Sequence, residues 1–183
     1  MNTLARAQLS AITEVLNAAN ELGIEVWLRG GWAMDFYLGQ VTREHDDVDW
    51  SVWEKDLPAI SALLTSRRWV DLAILPLEQQ RDVLRDDVEI GFAPLSRSEA
   101  GCVVVGGGPY RCEPWPEDMI SNAVAGELEG ISCPIISPAA QIEIKRMMPI
   151  WAPGFRRREK DTRDIATLEE ALRGTQGPSG TRH

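Results

Sequence analysis

The chain is poor in cysteine, with only Cys102, Cys112 and Cys133 among its 183 residues. An odd number without CxxC spacing excludes a disulfide framework, offers no zinc site and fits a reducing cytoplasm. Long hydrophobic runs are also missing, since no stretch approaches the roughly 18 uncharged apolar residues that span a bilayer. The first residues form an amphipathic pattern rather than the charged, apolar and small-residue succession of a secretory leader. A cytoplasmic protein without a membrane segment is therefore expected. Positive charge is scarce: 19 Lys and Arg stand against 28 Asp and Glu, a net charge of -9. A surface of that sign repels phosphate backbones and concentrates cationic ligands, so nucleic acid is not expected as a partner and a small cationic molecule is. No internal repeat is present. The remainder, 44% hydrophobic and 26% charged with seven Trp, has the composition of a folded chain of about one domain.

Apolar periodicity places the elements. Leu4, Leu9, Ile12, Val15, Leu16, Ala19 and Leu22 share a helical stripe that stops at Gly23. Residues 24–28 read as a strand ending at Gly30-Gly31, and residues 32–38 as a short helix ending at Gly39. Val48, Trp50 and Val52 alternate with Asp47, Asp49 and Ser51, which predicts a strand with one polar face. Residues 56–66 read as a helix capped by Asp56 with Pro58 in its first turn. Strands are expected at 69–75, at Val88-Ile90-Phe92 with Asp87 and Glu89 on the other face, and more briefly at 102–105 and 130–136. The acidic stretches between them read as loops. Helices are expected from Pro138 to Pro149 and over 156–172. The spans are 1–136 for a first domain, 137–173 for a helical lobe and 174–183 for a frayed tail.

The chemistry concentrates in Trp27 to Trp53, WLRGGWAMDFYLGQVTREHDDVDWSVW. A Gly-Gly pair between strand and helix lets backbone N–H groups approach a phosphate where the helix dipole favours an anion. Asp47 and Asp49, two apart on a strand, project from one face about 7 Å apart along the chain. Paired carboxylates suit Mg2+, which is commonly held by one or two of them together with substrate phosphates. The plainer alternative for Asp-x-Asp is a solvated strand face.

Gly30, Gly31, Trp32, Ala33, Asp35, Gly39, Thr42, Arg43, His45, Asp46, Asp47 and Asp49 decide between these readings. In that order the block resembles the minor nucleotidyltransferases of the polymerase-beta-like superfamily, specifically the antibiotic nucleotidyltransferases that modify aminoglycosides (2''-adenylyltransferase type) and lincosamides. The resemblance implies an α+β fold, a small mixed sheet flanked by helices with a C-terminal helical lobe. It implies Mg2+ as cofactor and ATP or another NTP as co-substrate. It also implies a third carboxylate on a later strand, for which Glu89 is the candidate and Asp87 the competitor. Asp47, Asp49 and Glu89 would then be catalytic and hold metal, with Gly30, Gly31, Arg43, His45 and Lys145 toward the nucleotide. Lys160-Asp161 and Asp164 match the family's ending.

Each residue has a structural alternative. Trp32 and Ala33 suit packing behind the turn, and Asp35 a cap or salt bridge. His45 suits either a loop hydrogen bond or a triphosphate contact. Arg43 suits a phosphate, although Arg29 or Arg43 could pair with a local Asp. Lys145 and the Arg156-Arg157-Arg158 run could be solvated faces. Trp115 and Trp151 are available to stack on sugar rings. The expectation is transfer of a nucleoside monophosphate to a hydroxyl of an aminoglycoside, with pyrophosphate released, by a monomer or homodimer. A lincosamide acceptor, or a toxin-antitoxin partner protein of the same fold, is the alternative.

Overall fold

A computed structural model describes residues 2–76, 78–152 and 154–175. Helix α1 (Thr3–Leu22) starts where the Asn2 side chain accepts the Ala5 N–H at 2.8 Å and stops at Gly23 in the left-handed region, φ 64°. Its stripe is buried through Leu9, Ile12, Val15 and Ala19, while Leu4 and Leu22 at the two ends overhang into solvent. Strand β1 (Val26–Arg29) runs directly into helix α2 (Gly30–Leu38), which Gly39 ends. Strand β2 (Val48–Trp53) and helix α3 (Leu57–Ser66) follow. Asp56 precedes α3 in helical geometry, and its side chain makes no capping hydrogen bond, contrary to expectation.

The next segment corrects the expected strand at 69–75. Only Val70–Asp71 forms one (β3), and the run divides between Trp69, buried in the main core, and Ile74, 62% exposed. In its place, the stretch read as an acidic loop contains strand β4 (Arg81–Arg85), joined to β5 (Val88–Arg97) by Asp86 and Asp87 at φ 49° and 65°. Two consecutive positive-φ residues are what a tight hairpin turn requires, and Asp tolerates that region better than most side chains. Asp87 is thus a turn residue rather than a member of the strand face. Strand β6 (Val103–Val105) is followed by a single 3-10 turn. A second hairpin joins β7 (Val124–Leu128), which was not expected, to β8 (Ile131–Ile135). Helix α4 (Pro138–Trp151) continues two residues past Pro149, and α5 (Glu159–Thr175) begins three residues later than expected. The first two residues of the expected tail, Gly174 and Thr175, belong to α5 instead, and 176–183 lie outside the described residues.

The strands form one mixed sheet in the order β3-β4-β5-β2-β1-β8-β7, with β6 also paired to β5. β2 runs parallel to β5 and β1 parallel to β8, and the other pairs are antiparallel. Alternation sorts the side chains. Val26, Leu28, Val48, Trp50, Val52, Ile90 and Phe92 enter the main core with the buried faces of α1 and α3. Full burial of such side chains contributes about 1.5–3 kcal/mol each. Trp27 and Leu95 project from the opposite face, into a second cluster with Met119, Ile136 and Ala140. A third cluster of Met34, Ile142, Ile165 and Leu168 fastens α4 and α5 to α2.

Candidate active site

Strand register lines up four residues on one rung. Arg29 pairs with Asp49 across β1 and β2, Asp49 with Gly91 across β2 and β5, and Gly91 with Asp82 across β5 and β4. Paired residues on neighbouring strands point the same way, so Arg29, Asp49 and Asp82 share the face that carries Trp27 and Leu95. Gly91 leaves a gap in the row: a Cβ there would lie 3.0 Å from Asp82 Oδ1 and 3.6 Å from Asp49 Oδ1. Asp47 stands just before β2, and Glu89 is on β5 one step before the Val48–Ile90 pair.

These carboxylates repel one another. Loss of surrounding water raises the proton affinity of Asp47 above the ordinary carboxylate value, and Asp49 raises it further, while Lys160 and Arg158 oppose the rise. Glu89 is raised in turn by burial and then by Asp82, Asp47 and Asp49. Strand β4, hidden in a loop reading, therefore contributes a carboxylate that motif inspection missed. Asp82 is 5% exposed and accepts from Gln80 Nε2 at 2.6 Å. The available signal was the Asp86-Asp87 pair, a turn-forming dipeptide between the apolar Val83-Leu84 and the strand from Val88.

The Gly-Gly pair has a packing reason. At Gly30, φ is +71° and a Cβ would lie 2.6 Å from Asp49 Oδ2. At Gly31 it would lie 2.3 Å from His45 Nδ1 and 2.8 Å from Arg43 Nη2. No side chain caps α2, so the N–H groups of its first turn have no such acceptor.

His45, Arg43 and Lys145, expected toward the nucleotide, each hydrogen-bond to protein groups. His45, 5% exposed, lies 2.6 Å through Nε2 from Oδ2 of the fully buried Asp35 and 2.9 Å through Nδ1 from Arg43 Nη1. Arg43 can only donate, so Nδ1 accepts and the ring proton sits on Nε2, where it donates to Asp35. Asp35 also accepts from Thr42 Oγ1 at 2.5 Å, and Gln8 Nε2 holds the His45 carbonyl at 2.9 Å. Arg43 makes a two-pronged contact with Asp164 at 3.2 and 2.9 Å, and Lys145 reaches the same carboxylate at 2.8 Å. Burial alone would raise the Asp164 proton affinity, but the hydrogen bonds from Arg43 and Lys145 bring it below the usual value.

The start of α5 and the residue before it deliver two further cations. Arg158 contacts Asp161 at 3.0 Å through both Nε and Nη2, and Lys160 contacts Asp46 at 2.9 Å. The Arg158 guanidinium feels the negative field of Asp47 and Asp49, whereas Arg157 of the same basic run donates to the Arg146 carbonyl. Trp115 and Trp151 are brought together edge-on at 6.4 Å. Two hollows beside β7, lined by residues 36–39 and 124–132, include none of Asp47, Asp49 and Glu89.

The profile of the aminoglycoside-2''-adenylyltransferase family matches residues 11–168. The chain belongs to that family. Curated 2''-aminoglycoside nucleotidyltransferases from Escherichia coli and Klebsiella pneumoniae are each 36% identical over 121 residues, covering 59% of this chain and 68% of theirs. Among solved structures, ANT(2'')-Ia in complex with adenylyl-2''-tobramycin superposes with a TM-score of 0.72 at 22% identity, covering 91% of this chain and 90% of that one. Lincomycin-bound LnuA, a lincosamide adenylyltransferase, gives 0.66 at 18% identity, covering 87% and 94%. At those identities the structures establish a shared nucleotidyltransferase fold. For this family member, no helix among the described residues is long and apolar enough to cross a membrane.

The donor set can be tested against Mg2+. Among the described residues no three His, Cys, Asp or Glu side chains converge closely enough to hold a metal unaided, so Asp47, Asp49 and Glu89 do not form a ready-made three-carboxylate site. Two acidic oxygens with room left for phosphate is the usual Mg2+ arrangement. Asp47 and Asp49 fit it: their mutual repulsion is only partly offset, and Asp49 occupies the space that a side chain at Gly30 would fill.

Proposed function

We propose that this protein transfers the nucleoside monophosphate of ATP or another NTP to a hydroxyl of an aminoglycoside antibiotic in the cytoplasm, releasing pyrophosphate. The observation that carries the proposal is the register that sets Asp49 and Glu89 on one sheet face, with Asp47 just ahead of that face, beside the uncapped start of α2. Asp47 and Asp49 would hold Mg2+, which when bound neutralises phosphate charge and stabilises the attacking and leaving oxygens. The α2 N–H groups and the Gly30-Gly31 backbone bind and orient the phosphates. Glu89, whose proton affinity is raised, accepts the proton of the acceptor hydroxyl as its oxygen bonds to the α-phosphorus. The bond from that phosphorus to the β-phosphate oxygen breaks, and pyrophosphate leaves with the electron pair. Arg43, His45 and Lys145 act one step back, as positioning residues that fix the loop carrying Asp47 and the lobe carrying Arg158.

The family match and the charge of -9 favour a polycationic acceptor over a lincosamide. A pyrophosphate-release assay over an antibiotic panel tests this. Kanamycin, gentamicin or tobramycin is expected to give signal and lincomycin none. Signal with lincomycin alone would reassign the acceptor, and silence with every antibiotic would remove the proposal.

A further inference from the structure

We propose that Arg29 is a ligand of the substrate triphosphate, and that the rung Arg29–Asp49–Gly91–Asp82 orders the cleft from an anion-binding end at β1 to a cation-binding end at β4. The inference rests on the nucleotidyl-transfer reading above and assigns a residue that the motif does not.

Arg29 is the last residue of β1, stands in register with Asp49 and immediately precedes Gly30. Directly opposed residues on antiparallel strands have Cα atoms about 4.5–5.5 Å apart, so an ion pair with Asp49 is within easy reach. None forms. The guanidinium instead lies over the Trp115 ring, 5.7 Å from its centroid, and Trp115 is braced by Trp151 from the end of α4.

The other cations around the carboxylates are neutralised by protein groups. Arg43 and Lys145 share Asp164, Arg158 is held by Asp161, and Lys160 by Asp46. Among the described residues the Arg29 side chain makes no hydrogen bond or ion pair, and its guanidinium contacts the Trp115 ring instead. Arginine is charged at every accessible pH and carries five N–H donors in a planar fork. A half-buried fork of unspent donors, steadied by cation–π contact, is pre-organised for a planar or tetrahedral oxyanion.

Its position selects that oxyanion. The chain turns from Arg29 straight into α2, whose first N–H groups and dipole favour negative charge, and Asp49 faces Arg29 across the strand pair. A phosphate bridging the α2 start and a cation at Asp49 would lie within reach of Arg29. An ammonium group would be repelled from that end and drawn past Gly91 toward Asp82 and Glu89. One rung thus separates an anionic nucleotide from a cationic acceptor.

The test is calorimetric titration of magnesium tripolyphosphate, which has no base, and of Mg-ATP without acceptor. The proteins are wild type, Arg29→Ala, Arg29→Lys and Arg97→Ala. Arg97 is the control because it also stacks on a tryptophan, Trp53 at 4.8 Å, from the far end of β5. Arg29→Ala should weaken both ligands about tenfold to hundredfold, Arg29→Lys should fall between, and Arg97→Ala should stay within about twofold. Folded Arg29→Ala that binds tripolyphosphate within about twofold of wild type would overturn the assignment. Should the alanine variant not fold, Arg29→Lys decides, since it keeps charge and stem but loses the fork: undiminished affinity overturns the proposal and weakened affinity supports it. Wild-type protein that binds neither ligand would overturn the nucleotidyl-transfer reading and this inference together. Wild type that binds and releases pyrophosphate, with Arg29→Ala equal to it, would overturn this inference alone.

Discussion

The place where a side chain on Gly31 would begin is already taken by the imidazole of His45, 2.3 Å away at Nδ1. That ring is fixed through Asp35, Arg43 and the Trp32 ring, whose centroid is 4.7 Å from it. It cannot yield without breaking buried hydrogen bonds. Gly31→Ala should therefore lose activity and about 1–3 kcal/mol of stability, as overpacking typically costs. Gly174→Ala, in α5 with nothing within 4 Å of the added carbon, should be neutral or slightly stabilising. Thermal melts of both, beside turnover, check the contrast, and a Gly31→Ala protein indistinguishable from wild type would refute the packing argument.

Asp47→Asn and Asp49→Asn should each abolish turnover while the protein remains folded. Burial first and the neighbouring Asp49 charge second raise the proton affinity of Asp47, so a neutral amide of the same volume removes an unfavourable charge and the melting temperature should hold or rise. Turnover within about tenfold of wild type in either variant would be too small a loss for a group holding the metal.

Glu89→Gln should lower kcat by about 10²- to 10⁴-fold, the usual worth of a general base, with nucleotide affinity retained. Asp87→Asn should be mild, because Asp87 sits in the β4–β5 turn at φ 65° rather than on the strand face. Steady-state kinetics of the two variants decide this. A dead Asp87→Asn beside a normal Glu89→Gln would mean that the turn residue carries the chemistry.

Asp164 anchors α5 to Arg43 and Lys145, and those partners outweigh burial to hold its carboxyl below the usual range. A depressed acid stabilises the fold above its unfolded value of about 3.9 and loses that contribution as the pH falls toward the folded value. Wild type should therefore soften below about pH 4. Asp164→Asn should cost about 1.5–3 kcal/mol at neutral pH and show a shallower acid limb. Melting curves from neutral pH down to pH 3 test it, and parallel acid limbs would count against Asp164 as the anchor.

Much of the site was legible locally because its chemistry is local. Gly30, Gly31, Asp47 and Asp49 lie within twenty residues of one another, and strand alternation alone puts the two carboxylates on one face. The helices α1 and α2 and the strands β2 and β5 announce themselves by apolar period and by glycine stops, since their buried faces must repeat with the geometry of the backbone.

Sheet register, by contrast, is a long-range property. Nothing near Asp82 says that it will face Gly91, or that Arg29 will oppose Asp49. Those neighbours are chosen by the pairing of β1, β2, β5 and β4. Strand β4 was hidden because its charged residues outnumber its apolar ones, and only packing of Val83 against the core reveals which face is buried. The fates of His45, Arg43 and Lys145 were also undecidable from their types. A histidine or a basic side chain beside a phosphate motif binds whichever anion the fold brings within reach, and docking of α4 and α5 brought Asp164 to Arg43 from 121 residues away.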